Sequence, residues 1–519
     1  MLTTRDYMKF KILDPITYTL LQTIETPTKI IAARALPEDR IQITEEEISV
    51  VERAEKRNLV GVLELTSKTI YGLNNKKVPL YLCRPINRGY PPFRIPCKEI
   101  DRRQNLLIVF QFEDWELTAS TPRGSIVRIL GPCSLRIEKE AAVHWISPWN
   151  HPKQFSYCPL DPFDSSRKIH LSEGTFNIDP PGCLDIDDVI TLLPSPNSTN
   201  QYDLWVTIAD VASCISEGSD LDLFALKLGE TVYQNGQAMK PMLPRILSEN
   251  ECSLLPGLQR RGISLHAVWD SEVKTLSALE WHEVFVTNQK CYTYESVHNM
   301  PILKDICSFL EPDLNDLEQN DSHKWIEALM IWYNREAAKI LINIKGGLLR
   351  KQEAERLAAT YCSSKQPEIH STLKSMYCHA SSPIRRYADL ANQRILKAFI
   401  SKRENENPQT DFEMLSRKLN LRQKDIKEYN RTLFFIEALE KDQKELDALC
   451  ISLKDGKIRI YVEAWKQSFK IRLTTVQRIK EGDTLRLKMY YDPEKANWKD
   501  KMVFQLIHIN SAASTNYQE

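Results

Sequence analysis

The residues best suited to chemistry lie between Asp179 and Asp188, in the run Asp-Pro-Pro-Gly-Cys-Leu-Asp-Ile-Asp-Asp. Asp179, Asp185, Asp187 and Asp188 place four carboxylates there. Two like charges about 4 Å apart repel by roughly 4 kcal/mol at an effective dielectric near 20, so a fold that gathers such a set calls for cations. Carboxylate oxygens suit hard ions, and Mg²⁺ is typically held by one or two carboxylates plus substrate phosphates. Two such ions roughly 3.5–4 Å apart clamp the attacking and leaving oxygens of a phosphodiester. Pro180-Pro181-Gly182 forces a sharp turn that lets Asp179 fold back toward the other three. A solvated acidic loop is the plainer alternative. Against it, Ile178, Leu184, Ile186, Val189 and Ile190 interleave with the acids and point to a partly buried setting.

A second cluster is Cys378-His-Ala-Ser-Ser382-Pro383-Ile384-Arg385-Arg386-Tyr387. Pro383 fits helix entry and Ser382 can cap. Arg385 and Arg386 then fall in or near a first helical turn, where positive charge opposes the macrodipole. A phosphate would relieve that conflict; pairing with surface acids is the alternative.

The elements that must position these groups are mixed. From Val60 the chain reads as short strands (Val60–Leu65, Val78–Cys83, Leu106–Phe112, Ser125–Leu130), which suggests a small barrel. Between them, Arg84, Arg88, Arg94, Lys98, Arg102 and Arg103 interleave with Tyr90 and Phe93. That pattern can track phosphates and stack bases, or be an ordinary Pro-rich loop. His151–Lys168, with prolines at 152, 159 and 162, reads as a linker. Leu204–Asp210, Ser264–Trp269 and Val284–Thr287 read as strands, and about Asp222–Glu230 as a helix. Asp321–Ile344 is a helix by its i, i+3, i+4 apolar spacing, capped by Asp321 or Ser322. Tyr387–Ile400 and Phe412–Ala438 follow as helices. Strands at Leu449–Leu453, Ile458–Ala464, Phe469–Leu473, Leu485–Tyr490 and Val503–Ile507, with a hairpin turn at Lys454–Lys457, can close a five-stranded OB-like barrel. Before Val60, apolar segments at Ile16–Leu21 and Lys29–Ala35 precede an acidic helix candidate at Glu45–Lys56.

Length and composition bound the rest. At 519 residues the chain holds several domains. Lysine plus arginine equals aspartate plus glutamate, 69 each, so any polyanion must meet a local groove. The twelve cysteines form no C-x-x-C pair and no Cys/His cluster of metal-ligand spacing, which reads as reduced thiols. Neither a signal peptide nor an 18-residue apolar run is found, so a cytoplasmic or nuclear, non-secreted protein without a membrane partner is expected.

Taken together, these residues resemble the RNB-type exoribonucleases, the ribonuclease II and R family, in its branch of eukaryotic exosome catalytic subunits and their cytoplasmic relatives. The stretches that carry the resemblance are Ile178–Asp188, Ile208–Val211, Thr231–Tyr233, Pro241–Pro244, Cys252–Leu254, Tyr292–Glu295, Leu348–Lys351 and Ser382–Asp389, in one order over about residues 160–400. The resemblance implies an α+β fold: a central mixed α/β RNB catalytic domain flanked by small OB-like β-barrels. Its parts are a segment at 1–57 (a partial cold-shock-like piece or an adaptor), a cold-shock/OB-like RNA-binding barrel at 58–150, the RNB domain at 151–445, and a C-terminal OB-like barrel at 446–510. Gly124–Gly131 is similar to the end of the second cold-shock barrel.

The activity implied is 3′→5′ hydrolysis of single-stranded RNA to 5′-mononucleotides by two-metal-ion catalysis, in RNA degradation or processing. Asp179, Asp185, Asp187 and Asp188 match the catalytic, metal-binding set for two Mg²⁺ ions, with Mn²⁺ as a substitute; Asp179 and Asp188 are the preferred direct ligands. Arg385 matches the arginine at the scissile phosphate. Tyr233 resembles the aromatic holding the 3′-terminal nucleotide and Tyr294 a further channel residue; Arg386, from its place beside Arg385 near the helix N-terminus, is expected to contact RNA. Core packing is the alternative for both tyrosines. Partners implied are single-stranded RNA and an RNA helicase or degradation-complex subunits. Three departures from the family pattern are expected: most of a first cold-shock barrel missing, since few residues precede Val60; no PIN domain before it; and a Lys351–Tyr377 span much shorter than the family's channel-wall region. The rival reading is an inactive RNB scaffold that binds RNA, or an accessory subunit of a degradation complex.

Overall fold

The computed structural model describes residues 7–9, 12–14, 19–20 and 33–510, except 38, 44–47, 54–57, 88–89, 100, 150, 162–163, 197, 235, 298–299, 312–321, 355–356, 403–409, 442–443, 455–456, 472, 474–478 and 496–497. The chain forms two compact units. One takes residues 1–150 and 426–519, the other 151–425.

In the first unit, strands β1 (Leu59–Leu63), β2 (Leu80–Pro85), β3 (Phe93–Pro96), β4 (Leu106–Asp114) and β5 (Arg123–Pro132) close a barrel in the order β5-β3-β2-β1-β4. Tyr81, Phe93, Ile95, Ile108 and Phe110 fill it. This corrects the reading of Arg84–Lys98 as an aromatic-and-basic loop. Phe93 and Ile95 alternate inward along β3, and Phe93 sits edge-on to Phe110 with centroids 5.0 Å apart. Tyr90 is buried in the same core, so neither ring is offered to a base. Arg88 lies outside the described residues. Helix α1 (Leu135–Ile146) follows. The acidic helix expected at Glu45–Lys56 is instead, over its described part, a strand at Ile48–Glu52 paired with Arg40–Ile43. Ile48, Val50 and Val51 favour a pleated surface over a helix. The segments Ile16–Leu21 and Lys29–Ala35 lie mostly outside the described residues.

The second unit is built on a seven-stranded sheet. In chain order its strands are β6 (Ile169–Leu171), β7 (Thr175–Ile178), β8 (Asp188–Pro194), β9 (Gln201–Ala209), β10 (Gln259–Asp270), β11 (Thr275–Thr287) and β12 (Lys290–Tyr292). The spatial order is β6-β11-β10-β9-β8-β7-β12. Helices α2 (Asp220–Leu228), α3 (Pro301–Leu310), α4 (Ser322–Ile344) and α5 (Tyr387–Ile400) complete it. Leu204, Val206, Ile208, Ile263 and Leu265 are fully buried, and Tyr333 of α4 meets Trp281 of β11 edge-on at 4.9 Å. Asp321, the expected cap of α4, lies outside the described residues. Near the end of β9, Asp210 pairs with Arg167 and accepts from Lys397 of α5 at 2.6 Å. Gln393 of α5 donates to the Ala209 carbonyl at 2.7 Å. These contacts lock α5 onto the sheet.

Helix α6 (Phe412–Glu440) crosses the boundary between the units at 425/426 rather than ending before it, because Phe435 and Ala438 join the core of the C-terminal sheet. That sheet comprises β13 (Glu445–Lys454), β14 (Lys457–Val462), β15 (Gln467–Ile471), β16 (Thr484–Tyr491) and β17 (Met502–Asn510), ordered β15-β14-β13-β16-β17. Lys454 faces Lys457 across the hairpin. Closure of β15 onto β17 is not seen among the described residues.

Within the first unit, the wholly buried Lys501 pairs with the wholly buried Glu138 of α1, which also accepts from the Tyr491 hydroxyl at 2.7 Å. Removing one partner of a buried pair strands the other and costs about 3–5 kcal/mol. We expect Lys501→Ala to lower stability by about that amount, and Glu138→Leu with Lys501→Met to recover most of it. Urea unfolding followed by intrinsic fluorescence reads both; equal losses in the single and double variants would contradict a strained, unpaired glutamate.

Candidate active site

The acidic run is the connection between β7 and β8, antiparallel neighbours in which Phe176 faces Ile190. Its two ends are therefore held side by side, with Asp179 just past β7 and Asp188 opening β8. The Cys183 N–H donates to the Pro180 carbonyl at 3.2 Å, and Gly182 has φ +79°. This is the turn that Pro at the second position and Gly at the third favour. The far side of the loop is pinned. Ile186 N–H donates to Ser253 Oγ at 3.0 Å, and its carbonyl accepts from Leu254 N–H at 3.0 Å.

The segment bearing Arg385 meets this loop directly. Asp187 Oδ1 accepts from the Ile384 backbone N–H at 2.9 Å and Asp187 Oδ2 from Arg385 Nε at 3.1 Å. Arg385 also donates from Nη2 to Ser382 Oγ at 2.9 Å, and its side chain stays 44% exposed. Ser382 and Pro383 lie in a turn ahead of α5 rather than capping it, and the helix begins at Tyr387. Arg386 takes the N-cap position, and Asp389 supplies the negative charge that the first turn prefers.

The side chain of Arg386 corrects its assignment as an RNA contact. It turns inward and donates from Nη2 to the buried Asp389 at 2.8 Å. Asp389 Oδ1 also accepts from Ser382 N–H at 2.8 Å. A carboxylate three residues on, buried beside the arginine, outcompetes solvent for it.

The other predicted residues gather around the acids. Tyr233 donates its hydroxyl to Asp185 Oδ2 at 2.7 Å, and the Cys183 thiol reaches Asp185 Oδ1 at 3.5 Å. Asn177 donates to Asp179 Oδ2 at 2.8 Å. Tyr294 stacks on His323 with centroids 3.6 Å apart. Burial, with the charges of Asp179 and Asp188, pushes the Tyr294 hydroxyl up to about 12.

Electrostatically the site is loaded. Burial pushes Asp187 up to about 7, although Arg385 and the Ile384 N–H pull it back. Burial and the charges of Asp179 and Asp187 raise Asp188 further, and no hydrogen bond or ion pair reaches its carboxylate among the described residues. Burial and Asp185 raise Asp179, against the Asn177 hydrogen bond and Arg385. Negative charge held out of water with few partners is what a divalent cation relieves. The donor set, all oxygen, suits a hard ion such as Mg²⁺. The four acids do not converge as tightly as their spacing suggested: among the described residues, no three of them bring ligand oxygens within 4.8 Å of one another. Asp185 and Asp187 have turned to Tyr233 and Arg385, leaving Asp179 and Asp188 the better placed to bind.

Sequence reasoning gave no role to Asn177, Ser253, His323 or Asp389, although Ser253 and Asp389 lie within stretches that carry the resemblance. Asn177 links Asp179 to Asn288, whose Nδ2 donates to Asn177 Oδ1 at 2.8 Å. The one available signal was polarity inside the otherwise apolar strand Thr175–Ile178.

The RNB domain family matches residues 170–306 and 355–402, and the Dis3-like cold-shock domain 2 family matches residues 80–143. The exosome complex exonuclease dis3 of Schizosaccharomyces pombe is 27% identical over 230 residues, 41% of this chain and 23% of that protein. The chain spans less than a third of the length of the exosome and DIS3-like relatives it matches. In fold it is similar to the apo form of Mycoplasma genitalium RNase R, with TM-score 0.66 and 17% identity over 98% of this chain and 99% of that one. It is also similar to yeast Ssd1, a pseudonuclease, with TM-score 0.60 and 15% identity over 89% of this chain and 70% of that one. The matched domains and the sequence motifs agree: the chain carries an RNB domain of the ribonuclease II and R type.

Proposed function

We propose that this chain is a 3′→5′ exoribonuclease that hydrolyses single-stranded RNA and releases 5′-mononucleotides. The observation that supports it best is the contact of Asp187 with Arg385, 198 positions apart, which sets a half-exposed guanidinium beside four acids. Asp179 and Asp188 would hold the metal, with Asp185 and Asp187 completing the set for two Mg²⁺ or Mn²⁺ ions. When bound, such ions supply Lewis acidity that activates a water and steadies the leaving 3′-oxygen.

The chain's own residues do the rest. Arg385, steadied by Ser382, offsets charge on the scissile phosphate. Tyr233, anchored through Asp185, offers its ring to the terminal nucleotide, and the Tyr294–His323 stack extends the aromatic surface. Arg386 positions the segment through Asp389 and touches no RNA. The barrel at 59–132 and the C-terminal sheet are the candidate single-strand-binding modules. An RNA helicase or degradation-complex subunits remain the proposed protein partners. Among the described residues, no helix is long and apolar enough to cross a membrane.

The fold likeness to a yeast pseudonuclease favours a second reading, an inactive scaffold that binds RNA. The retention of all four acids and Arg385 weighs against it. An RNA labelled at its 3′ end should yield labelled mononucleotide at once, while the same RNA labelled at its 5′ end shortens progressively. Binding without mononucleotide release in Mg²⁺ or Mn²⁺ would establish the inactive reading.

We expect Asp187→Asn to reduce cleavage by at least about 10²–10³-fold while RNA affinity stays nearly unchanged, measured by product release and by filter binding. Retained turnover would remove Asp187 from the site.

Metal and pH are linked through the same residue. Asp187 is pushed up to about 7 in the folded chain, against an ordinary value near 4. Between those values the folded state binds more protons than the unfolded one, so stability falls as pH rises through that window. A cation favours the ionised form and cancels the loss, so metal affinity rises with pH. Mg²⁺ should therefore raise the thermal midpoint more at about pH 8 than at about pH 5.5. An equal or reversed shift would count against these acids as the ligands.

A further inference from the structure

The central sheet carries a second constellation of metal-binding side chains, separate from the aspartates. His266 of β10, with Glu280 and His282 of β11, can each bring one donor atom within 4.8 Å of the others. The strand register explains this. His266 pairs with Glu280, and Ser264, two residues back along β10, pairs with His282. The three side chains therefore share one face, opposite to Trp281, which packs against α4. Asp203 and Trp205 of β9 lie on the same face, with Trp205 paired to His266.

The surroundings fix the rings. Trp205 stacks on His266 with centroids 4.0 Å apart and planes at 21°. His266 Nε2 lies 2.9 Å from Asp203 Oδ1. An ionised carboxylate can only accept, so Nε2 carries a proton, and in the neutral ring Nδ1 is left with its lone pair. A carboxylate on one imidazole nitrogen while the other faces a metal is the usual outer support of a metal-bound histidine. His282 Nε2 lies 3.2 Å from Glu280 Oε2, a proton-bridged pair in which a cation can replace the proton. The histidine side chains are 15% and 27% exposed and Glu280 is 63% exposed, so the group is held by the sheet and open to an ion from solvent.

We propose that His266, Glu280 and His282 form a binding site for a borderline divalent transition ion, Zn²⁺ first, with Asp203 as the positioning residue. Two imidazoles and a carboxylate suit Zn²⁺ and disfavour Mg²⁺ or Ca²⁺, which prefer oxygen alone. Ligand distances near 2.0–2.2 Å need donor atoms about 3.3 Å apart, a small closure from the observed spread. Three protein ligands leave a fourth tetrahedral position to water. The site is distinct from the aspartates: Asp188 pairs with Ile208, on the face opposite to Trp205 and His266, and β10 and β11 lie two and three strands away from β8, roughly 10–14 Å across the sheet.

The test is Zn²⁺ titration of the full, untagged chain after chelator treatment, in excess Mg²⁺ so that the aspartates keep a hard ion. The expected result is one Zn²⁺ per chain. Glu280→Gln and His282→Ala should each weaken it at least about tenfold, and Asp203→Asn by about 10–100-fold, while Asp187→Asn leaves it unchanged. Glu280→Gln changes an exposed side chain, so its effect is not one of folding, and far-ultraviolet circular dichroism checks the others. Co²⁺ loaded in place of Zn²⁺ should give d–d bands without a thiolate charge-transfer band. The proposal is overturned by no stoichiometric uptake, by uptake indifferent to Glu280→Gln and His282→Ala, or by a thiolate band assigning the ion to a cysteine.

Discussion

A carboxylate removed from water has to be answered by something, and the answer given to Asp187 organises the second unit. Its two oxygens are met by the Ile384 N–H and by Arg385. Those contacts tie the segment ahead of α5 to the loop between β7 and β8. The tie is rigid because both sides are anchored elsewhere. The loop is pinned through Ser253 and Leu254. The helix is clamped to the sheet through Gln393 and through Lys397 on Asp210. Burial would raise Asp210, yet Lys397 and Arg167 hold its carboxyl well below the usual range, so that clamp stays ionised. One acid near β9 is fully paired and structural. The acids at β7 and β8 are underpaired, and that contrast separates scaffold from site.

The two adjacent arginines make the same distinction. Arg385 points out and keeps half its surface, while Arg386 points in to Asp389. A half-exposed guanidinium can offer its remaining N–H groups to a phosphate while Nε keeps Asp187. A buried one with a dedicated partner cannot, since breaking it strands a charge. A chain of zero formal net charge can still meet a polyanion this way, because the cation that matters is local.

Much of this was legible in the sequence because rare residue types cluster there. Four aspartates around Pro-Pro-Gly, and a Ser-Pro-Ile-Arg-Arg run before a helix, carry their chemistry in their spacing. The long helices and most strands were equally readable from periodicity. The failures have physical causes. Phe93 looked like a stacking ring because its neighbours are basic and Pro-rich, but alternation with Ile95 sends both inward. The charged flanks of Ile48–Glu52 suggested a helix where β-branched residues settle a strand. The inward turn of Arg386 depends on the depth of Asp389, which spacing does not encode. The His266, Glu280 and His282 group was invisible because it needs the register of two strands, including a shift between His266 and Val268.

The pairing of Glu138 with Lys501 spans 363 positions, and the whole second unit lies between them in the chain. On a ribosome adding about 5–20 residues per second, the lysine emerges on the order of tens of seconds after the glutamate. Throughout that interval α1 has no Lys501 to bury its acid against. The contiguous second unit has all its residues well before then. Biosynthesis thus imposes a sequence of events, in which the inserted unit can close while the one made from residues on either side of it is still waiting for its last strands.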